Sequence, residues 1–259
     1  MKTPKITIIT VVYNAEKTIE QTIKSVIAQS YPDIEYIIID GKSDDGTIDI
    51  INKYRSKISL FISEEDNGIY DAMNKGINHS SGEILFFLNA DDYLVDNEVI
   101  GEIIEKYRNC NCDLLYGYVN IEYLINNKPS FQKYAYEFTL ENLRKGCQPP
   151  HQGLFIKKQV FTESGLFDLN FKSASDFEFY CRIIDKNYSH VYIDKLISIF
   201  KYGGTSSNFF SDYESIKIIN KYFGKYYGML YYFKRIIIRG LLYKFKLINV
   251  YRYMRNNLK

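Results

Sequence analysis

Apolar residues dominate three stretches of the chain, Ile6–Tyr13, Glu35–Asp40 and Ile84–Leu88. Short runs so rich in Ile, Val, Tyr and Phe fit strands of a parallel sheet buried on both faces. Between them the period lengthens. Ile19, Ile23, Val26 and Ile27 recur at helical spacing in a segment opened by Asn14-Ala15-Glu16 and broken by Pro32. Thr47–Tyr54 and Tyr70–His79 read as further helices, and Ser59–Ser63 as a short strand. This βαβαβαβ alternation predicts an α/β domain with helices on both faces of the sheet. Beyond Tyr118 the pattern is less regular, with strands expected at Gly153–Ile156 and His190–Ile193 and a helix over Asp176–Lys186.

The 259 residues suit one large domain, or one domain with an appendage, and the net charge of +2 hides an asymmetry. After Glu214 there is no acidic residue but 11 of the 33 Lys and Arg, leaving 22 basic against 31 acidic residues up to and including it. A mildly acidic body joined to a basic, aromatic tail is therefore expected, divided as 1–215 and 216–259. The four cysteines lack metal-ligand spacing and read as reduced thiols. The first residues lack the apolar core of a secretory signal, and no stretch is long and apolar enough to span a bilayer, so a cytoplasmic protein is expected.

Ligands of open parallel sheets bind outside the carboxyl ends of the strands. Polar residues gather there: Asn14, Asp40 and Asn89-Ala90-Asp91-Asp92. Adjacent Asp91 and Asp92 repel unless a cation or donors offset them; oxygen-only ligands suit Mg²⁺ or Mn²⁺, whereas a solvated helix cap is the plainer alternative. Asp40 can accept from a nucleotide base or ribose, or cap the turn into Gly41. In Asn67–Gly76, Gly68 permits close backbone approach ahead of a helix start, and Lys75 either reaches a phosphate or is an ordinary surface lysine.

Taken in order, Val11-Val12-Tyr13-Asn14, Asp40-Gly41-Lys42-Ser43-Asp44-Asp45-Gly46-Thr47, Asn67–Gly76 and Gly82-Glu83-Ile84 leading to Asn89–Asp92 resemble family 2 glycosyltransferases over residues 5–205. The nearest likeness is to bacterial enzymes of capsule, O-antigen and exopolysaccharide synthesis. The resemblance implies a GT-A (Rossmann-like) fold with a mixed, mostly parallel sheet. It implies transfer of a sugar from a nucleotide-sugar to an acceptor hydroxyl with inversion, UDP being favoured. Thr10, Tyr13 and Asp40 then line the base pocket. Asn14, Asn67, Lys75, Asn89 and Asp91 join them on the nucleotide-sugar, and Asp91 and Asp92 hold Mn²⁺ or Mg²⁺. Asn89 stands where many members have Asp, and Met73 where many have Arg. Asp176 is the implied general base, with Ser175 in place of a usual Glu; Glu178 is the fallback. His151 and Gln152 resemble an acceptor-side pair, and Gly203–Ser206 a segment that folds over the donor.

In the tail, Leu230, Phe233, Ile237, Leu241, Phe245 and Ile248 share one helical face, with Arg235, Arg239 and Lys246 opposite. This basic amphipathic pattern suits an in-plane helix on the anionic inner face of the cell membrane, near a lipid-linked glycan acceptor; docking on the domain is the alternative, and no nucleic-acid partner is expected. Two rivals remain at this stage. A sugar nucleotidyltransferase would need a Gly-rich triphosphate loop after the first strand, which Val11–Glu16 is not. A catalytically inactive nucleotide-sugar-binding subunit would accommodate Asn89 and the missing Glu.

Overall fold

The structure is a computed structural model, and it describes residues 3–125, 128–201 and 209–237. Strand β1 (Ile6–Val12) is followed by α1 (Ile19–Ile27), β2 (Ile34–Asp40), α2 (Thr47–Lys53), β3 (Leu60–Ser63), α3 (Ile69–His79) and β4 (Ile84–Phe87). These four strands are parallel and lie side by side in the order β3-β2-β1-β4. Then come β5 (Tyr93–Leu94), α4 (Val99–Cys110), β6 (Leu114–Ile125), β7 (Lys128–Tyr134), α5 (Leu140–Arg144), β8 (Leu154–Lys157), α6 (Lys158–Ser164), α7 (Ser175–Ile183), β9 (His190–Lys201), α8 (Phe209–Phe223) and α9 (Lys225–Tyr232). The sheet continues β8-β6-β9-β5, mixed in direction, and β7 pairs with β6.

Every residue of β1 is buried because the sheet is covered on both sides. Alternation along the strands divides the core in two. Ile9, Val11, Ile37, Ile39, Leu85 and Phe87 face α3 and α7. Ile6, Ile8, Val12, Tyr36, Ile38, Ile84 and Phe86 face α1 and α4. The strands β1, β2 and β4 therefore finish at one edge, and the residues just past them meet there.

Four expectations change. The first helix starts at Ile19 rather than near Asn14, because Asn14 adopts a left-handed φ of 49° and gives its side chain to a neighbouring loop. The last long strand runs to Lys201, three times the expected length, pairing with β6 and β5. The boundary at 215/216 falls inside α8, whose Ile218 and Ile219 are fully buried in the core shared with α7. Cys110 and Cys112 are joined by a disulfide, with only Cys147 and Cys181 free among the described cysteines. The left-handed residue Asn111 at the end of α4 turns the chain back and brings the two Cα atoms to 5.1 Å, within disulfide range.

At the opposite edge, Glu35 fastens the start of β2 to β1 and to the loop before β4. Its carboxylate accepts from Thr7 Oγ1 at 2.6 Å, from the Ser81 backbone N–H at 2.6 Å and hydroxyl at 2.5 Å, and from Lys5 Nζ at 3.2 Å. Burial works to raise its pKa, but these donors prevail and hold it down to about 2. A depressed carboxyl adds stability above its unfolded value, and that stability is lost as the pH falls toward the folded value. Glu35→Gln is therefore expected to cost about 1–3 kcal/mol at neutral pH. In urea titrations the gap from the native protein should narrow steadily from about pH 5 downward; a gap that stays constant would show that Glu35 adds nothing through its charge.

Candidate active site

The carboxyl ends of β1, β2 and β4 supply one side of the cleft. Past β1, Tyr13 is 64% exposed, although its neighbours in the strand are buried. Asn14 exchanges hydrogen bonds with Asp44: its Nδ2 donates to Asp44 Oδ1 at 2.8 Å, and the Asp44 N–H donates back to Asn14 Oδ1 at 3.0 Å. The Ala15 N–H donates to Thr47 Oγ1, and the Glu16 N–H to Asp45. These bonds stitch the 41–46 loop to the end of β1. Gly41 lets the Asp66 carboxylate come close, since an added Cβ would lie 2.7 Å from Asp66 Oδ2.

Asp40 is fully buried, and its carboxylate accepts from the Ser43 hydroxyl and N–H and from Ser63 Oγ. Three donors leave about one lone-pair site for anything else. Thr10 is also fully buried, but on the α1 face, where its hydroxyl meets Tyr36 Oη at 3.2 Å. The structure therefore moves Thr10 out of the expected base pocket and into the core. Asn67 and Lys75 sit beside α3 and are already engaged. Asn67 donates to Asp71, and Lys75 pairs with Glu64 at 2.7 Å and donates to the Glu65 carbonyl at 2.8 Å.

Past β4, Asn89-Ala90-Asp91-Asp92 turns sharply, the Asp92 N–H donating to the Asn89 carbonyl at 3.1 Å. Asp92 is fully buried; its Oδ2 accepts from Gln152 Nε2 at 3.0 Å, while Oδ1 has no partner. Burial and the neighbouring Asp91 charge drive the Asp92 carboxyl well above the usual range. Burial raises Asp91 as well, with Lys201 and His151 opposing. Asn89 Oδ1 is a second buried oxygen without a partner. Among the described residues no three His, Cys, Asp or Glu side chains converge as a metal cage. Two carboxylates beside orphaned oxygens are nonetheless the donor set a hard divalent cation takes when phosphates complete its shell. The residues present fit such an ion.

Asp176, in the first turn of α7, is buried and comes within reach of this strand end. Tyr70 Oη of α3 donates to its Oδ1 at 2.8 Å. Gln148 Nε2 donates to its Oδ2 at 2.9 Å, and His151 Nδ1 lies 3.4 Å from the same oxygen. The other ring nitrogen of His151 lies 3.2 Å from Asn89 Nδ2, so one imidazole spans from α7 to the end of β4. Burial pushes the Asp176 carboxyl up, but the bonds from His151, Tyr70 and the Phe177 backbone outweigh it and hold it below the usual range. Tyr70 is raised far above an ordinary phenol by burial and by Asp176, so it stays the donor.

His151 and Gln152 do sit together, but Gln152 points at Asp92 and gives its carbonyl to Ser198, so it faces the acidic turn and not an open acceptor cleft. Glu178, two residues on from Asp176 and so on the other side of α7, is buried among Arg182, Lys221 and Tyr222. Tyr70 and Gln148 were missed as site residues although both lie in segments the sequence marks, the Asn67–Gly76 motif and the Gln148–Gln152 loop. Gly203–Ser206 and the tail after residue 237 lie outside the described residues. The described part of the tail packs on the domain through Ile218, Ile219 and Tyr231, yet leaves Tyr226, Met229, Leu230, Tyr232 and Phe233 exposed. No described helix is long and apolar enough to cross a membrane.

Residues 7–163 match the family model described as Glycosyl transferase family 2. A glycosyltransferase named for PGL/p-HBAD biosynthesis in Mycobacterium bovis strain BCG is 28% identical over 216 residues, spanning 80% of this chain and 81% of its own. The fold is also that of S. aureus TarS 1-349 in complex with UDP-GlcNAc (TM-score 0.68, 21% identity, 84% of this chain). The mannosyltransferase PcManGT from Pyrobaculum calidifontis, in complex with GDP-Man and Mn²⁺, is similar again (TM-score 0.65, 16% identity, 84% of this chain). This chain spans 66% and 64% of those two structures, respectively. Both likenesses bear on the fold, which is GT-A.

Tyr70→Phe removes one donor from the buried Asp176 carboxylate and leaves the ring packing in place. It is expected to fold and to lose about 1–3 kcal/mol in chemical denaturation. The Asp176 carboxyl should also titrate at higher pH than in the native protein, followed by its carboxyl carbon resonance; an unmoved resonance would show that Tyr70 does not hold it.

Proposed function

The chain belongs to glycosyl transferase family 2, and we propose that it is an inverting enzyme that moves a sugar from a nucleotide-sugar, UDP-sugar being favoured, to a hydroxyl of a glycan acceptor. The acceptor is lipid-linked and serves surface-polysaccharide synthesis. The observation that carries this reading is the meeting of Asp176 with the Asn89–Asp92 turn, bridged by His151. The two halves of a displacement, base and leaving-group site, then lie on opposite sides of one imidazole. The UDP-GlcNAc named with TarS and the GDP-Man and Mn²⁺ named with PcManGT support the donor class and the metal.

Inversion needs one group to take the acceptor hydroxyl proton while that oxygen attacks the anomeric carbon from the side opposite the diphosphate. Asp176 takes this role. Its lowered pKa keeps it ionised at neutral pH, and Tyr70 and Gln148 fix its direction. The bond from oxygen to the anomeric carbon forms as the bond to the diphosphate breaks, and the nucleoside diphosphate leaves. Asp91 and Asp92 would hold Mn²⁺ or Mg²⁺, whose charge offsets that of the departing diphosphate when it is bound. Tyr13 offers an exposed ring to the base beside Asp40, and Asn14 keeps the 41–46 wall in register with it. Asn67, Asn89 and Asp91 flank the donor, and Lys75 reaches a phosphate by leaving Glu64.

The exposed ring and chain atoms of Tyr226, Met229, Leu230, Tyr232 and Phe233 lie beside Lys225 and Lys234. Apolar side chains set among lysines suit an anionic lipid surface. This face gives the enzyme a peripheral position on the inner side of the cell membrane.

Incubation with a panel of nucleotide-sugars, Mn²⁺ and a polyprenyl-linked acceptor tests the activity. Asp176→Asn and Asp92→Ala should each lower transfer by about 100-fold or more; undiminished transfer in either sinks the assignment. Donor binding without turnover across the panel would instead favour an inactive nucleotide-sugar-binding subunit. For the lipid face, the native protein should float with vesicles containing phosphatidylglycerol and not with pure phosphatidylcholine. Replacing Tyr226, Met229 and Phe233 by Ser should return most of it to the soluble fraction, and unchanged flotation would remove those residues from the interface.

A further inference from the structure

Three side chains of one short loop reach three separate groups of the site. Gln148 donates to Asp176, Gln152 donates to Asp92, and His151 lies between Asp176 and Asn89. The loop is confined by Pro149 and Pro150 on one side and by the single turn His151–Gly153 running into β8 on the other. Gly153 has no room for a side chain: a Cβ there would lie 2.9 Å from the Gly117 carbonyl oxygen. The backbone that carries the imidazole is thus packed closely at Gly153.

The chemistry of its partners fixes its protons. An ionised carboxylate only accepts hydrogen bonds, so the nitrogen facing Asp176 must carry a hydrogen. That nitrogen is Nδ1. The amide nitrogen of Asn89 only donates, so with that nitrogen turned toward the ring, as it is placed here, the ring nitrogen facing it is bare, and that is Nε2. A neutral ring protonated on Nδ1 satisfies both ends at once. The group that fixes one ring nitrogen decides which state the other adopts.

Resting on the reading of Asp176 as the base, we propose that His151 is a positioning residue: its Nδ1–H holds Asp176 and its bare Nε2 holds Asn89, setting the distance between the base and the diphosphate-side turn. His151 takes no proton from the acceptor. It keeps Asp176 from swinging toward its other donors and keeps the Asn89 amide nitrogen turned away from the donor, so that Asn89 Oδ1 stays free.

Two measurements test this separately. Nitrogen-15 NMR on the native protein at pH 7.5 reads the tautomer directly, with the His151 signals assigned by their loss in His151→Asn; there are three histidines in the chain. A neutral ring with Nδ1 protonated is expected; a neutral ring protonated on Nε2, or an imidazolium, overturns the proposal. This readout needs no turnover, so it stands or falls apart from the transferase reading, which fails if the native protein turns over no donor in the panel. Steady-state kinetics on folded variants, checked by thermal melting, supply the second. His151→Asn places an amide near the Nδ1 position and keeps a donor for Asp176, whereas His151→Gln places it near Nε2 and does not. The expected result is a kcat loss of about 10–100-fold for His151→Gln, with KM for the donor within about threefold, and recovery of most of that loss in His151→Asn. Equal losses in the two variants would overturn the proposal, whether through general loosening of the loop or through His151 acting as the base itself.

Discussion

A carboxylate taken out of water has to be met by donors, and Asp176 is met from three directions, two of them distant in sequence. Tyr70 comes from α3, Gln148 and His151 from the loop before β8, and the Phe177 N–H from its own helix. Their combined bonds more than offset the cost of burial, which is why the group stays ionised. Each donor that stabilises the anion also lowers its affinity for a proton. The carboxylate is therefore fixed in direction at some expense in basicity.

The Asn89–Asp92 turn is built on the opposite balance. Asp92 is buried with one oxygen orphaned, beside a second carboxylate, and its single side-chain donor is Gln152. Left alone, such a pair disfavours its own charge. The preference is for a state in which positive charge arrives from outside. One half of the cleft is satisfied before any ligand enters, and the other is left unsatisfied until one does. The loop Gln148–Gln152 touches both halves, so movement at either is felt at the other.

Much of this was legible in the sequence. The apolar runs located β1, β2 and β4, and the residues just past them formed the cleft because parallel strands of similar length end together. Asp91, Asp92 and Asp176, singled out on that basis or through the family likeness, do come together around one cleft. Thr10 was misplaced although alternation alone would have corrected it: it shares a strand face with Ile8 and Val12, which pack toward α1. The β6–β7 hairpin was hidden because its residues are half exposed and rich in Tyr, Asn and Lys, so no clean period survives. The partners of Asp176 were hidden for another reason. A hydrogen bond between residues 106 positions apart leaves no trace in local pattern.

The tail shows why a break in composition is a poor guide to a break in structure. Acidic residues stop at Glu214, yet that residue is buried and accepts the N–H groups of Lys172 and Ser173 on the approach to α7. Asp212 takes Tyr231 Oη of α9. Glu178 of α7 is in turn met by Lys221 and Tyr222 of α8. The last two acidic residues of the chain thus fasten α8 to α9 and to the approach to the helix carrying Asp176. Since α8 and α9 pack as a pair and α9 presents the exposed apolar residues, a surface that engages α9 bears on α7 through a single intervening helix. The charge boundary marks the join by which the basic end of the molecule packs behind the helix that carries Asp176.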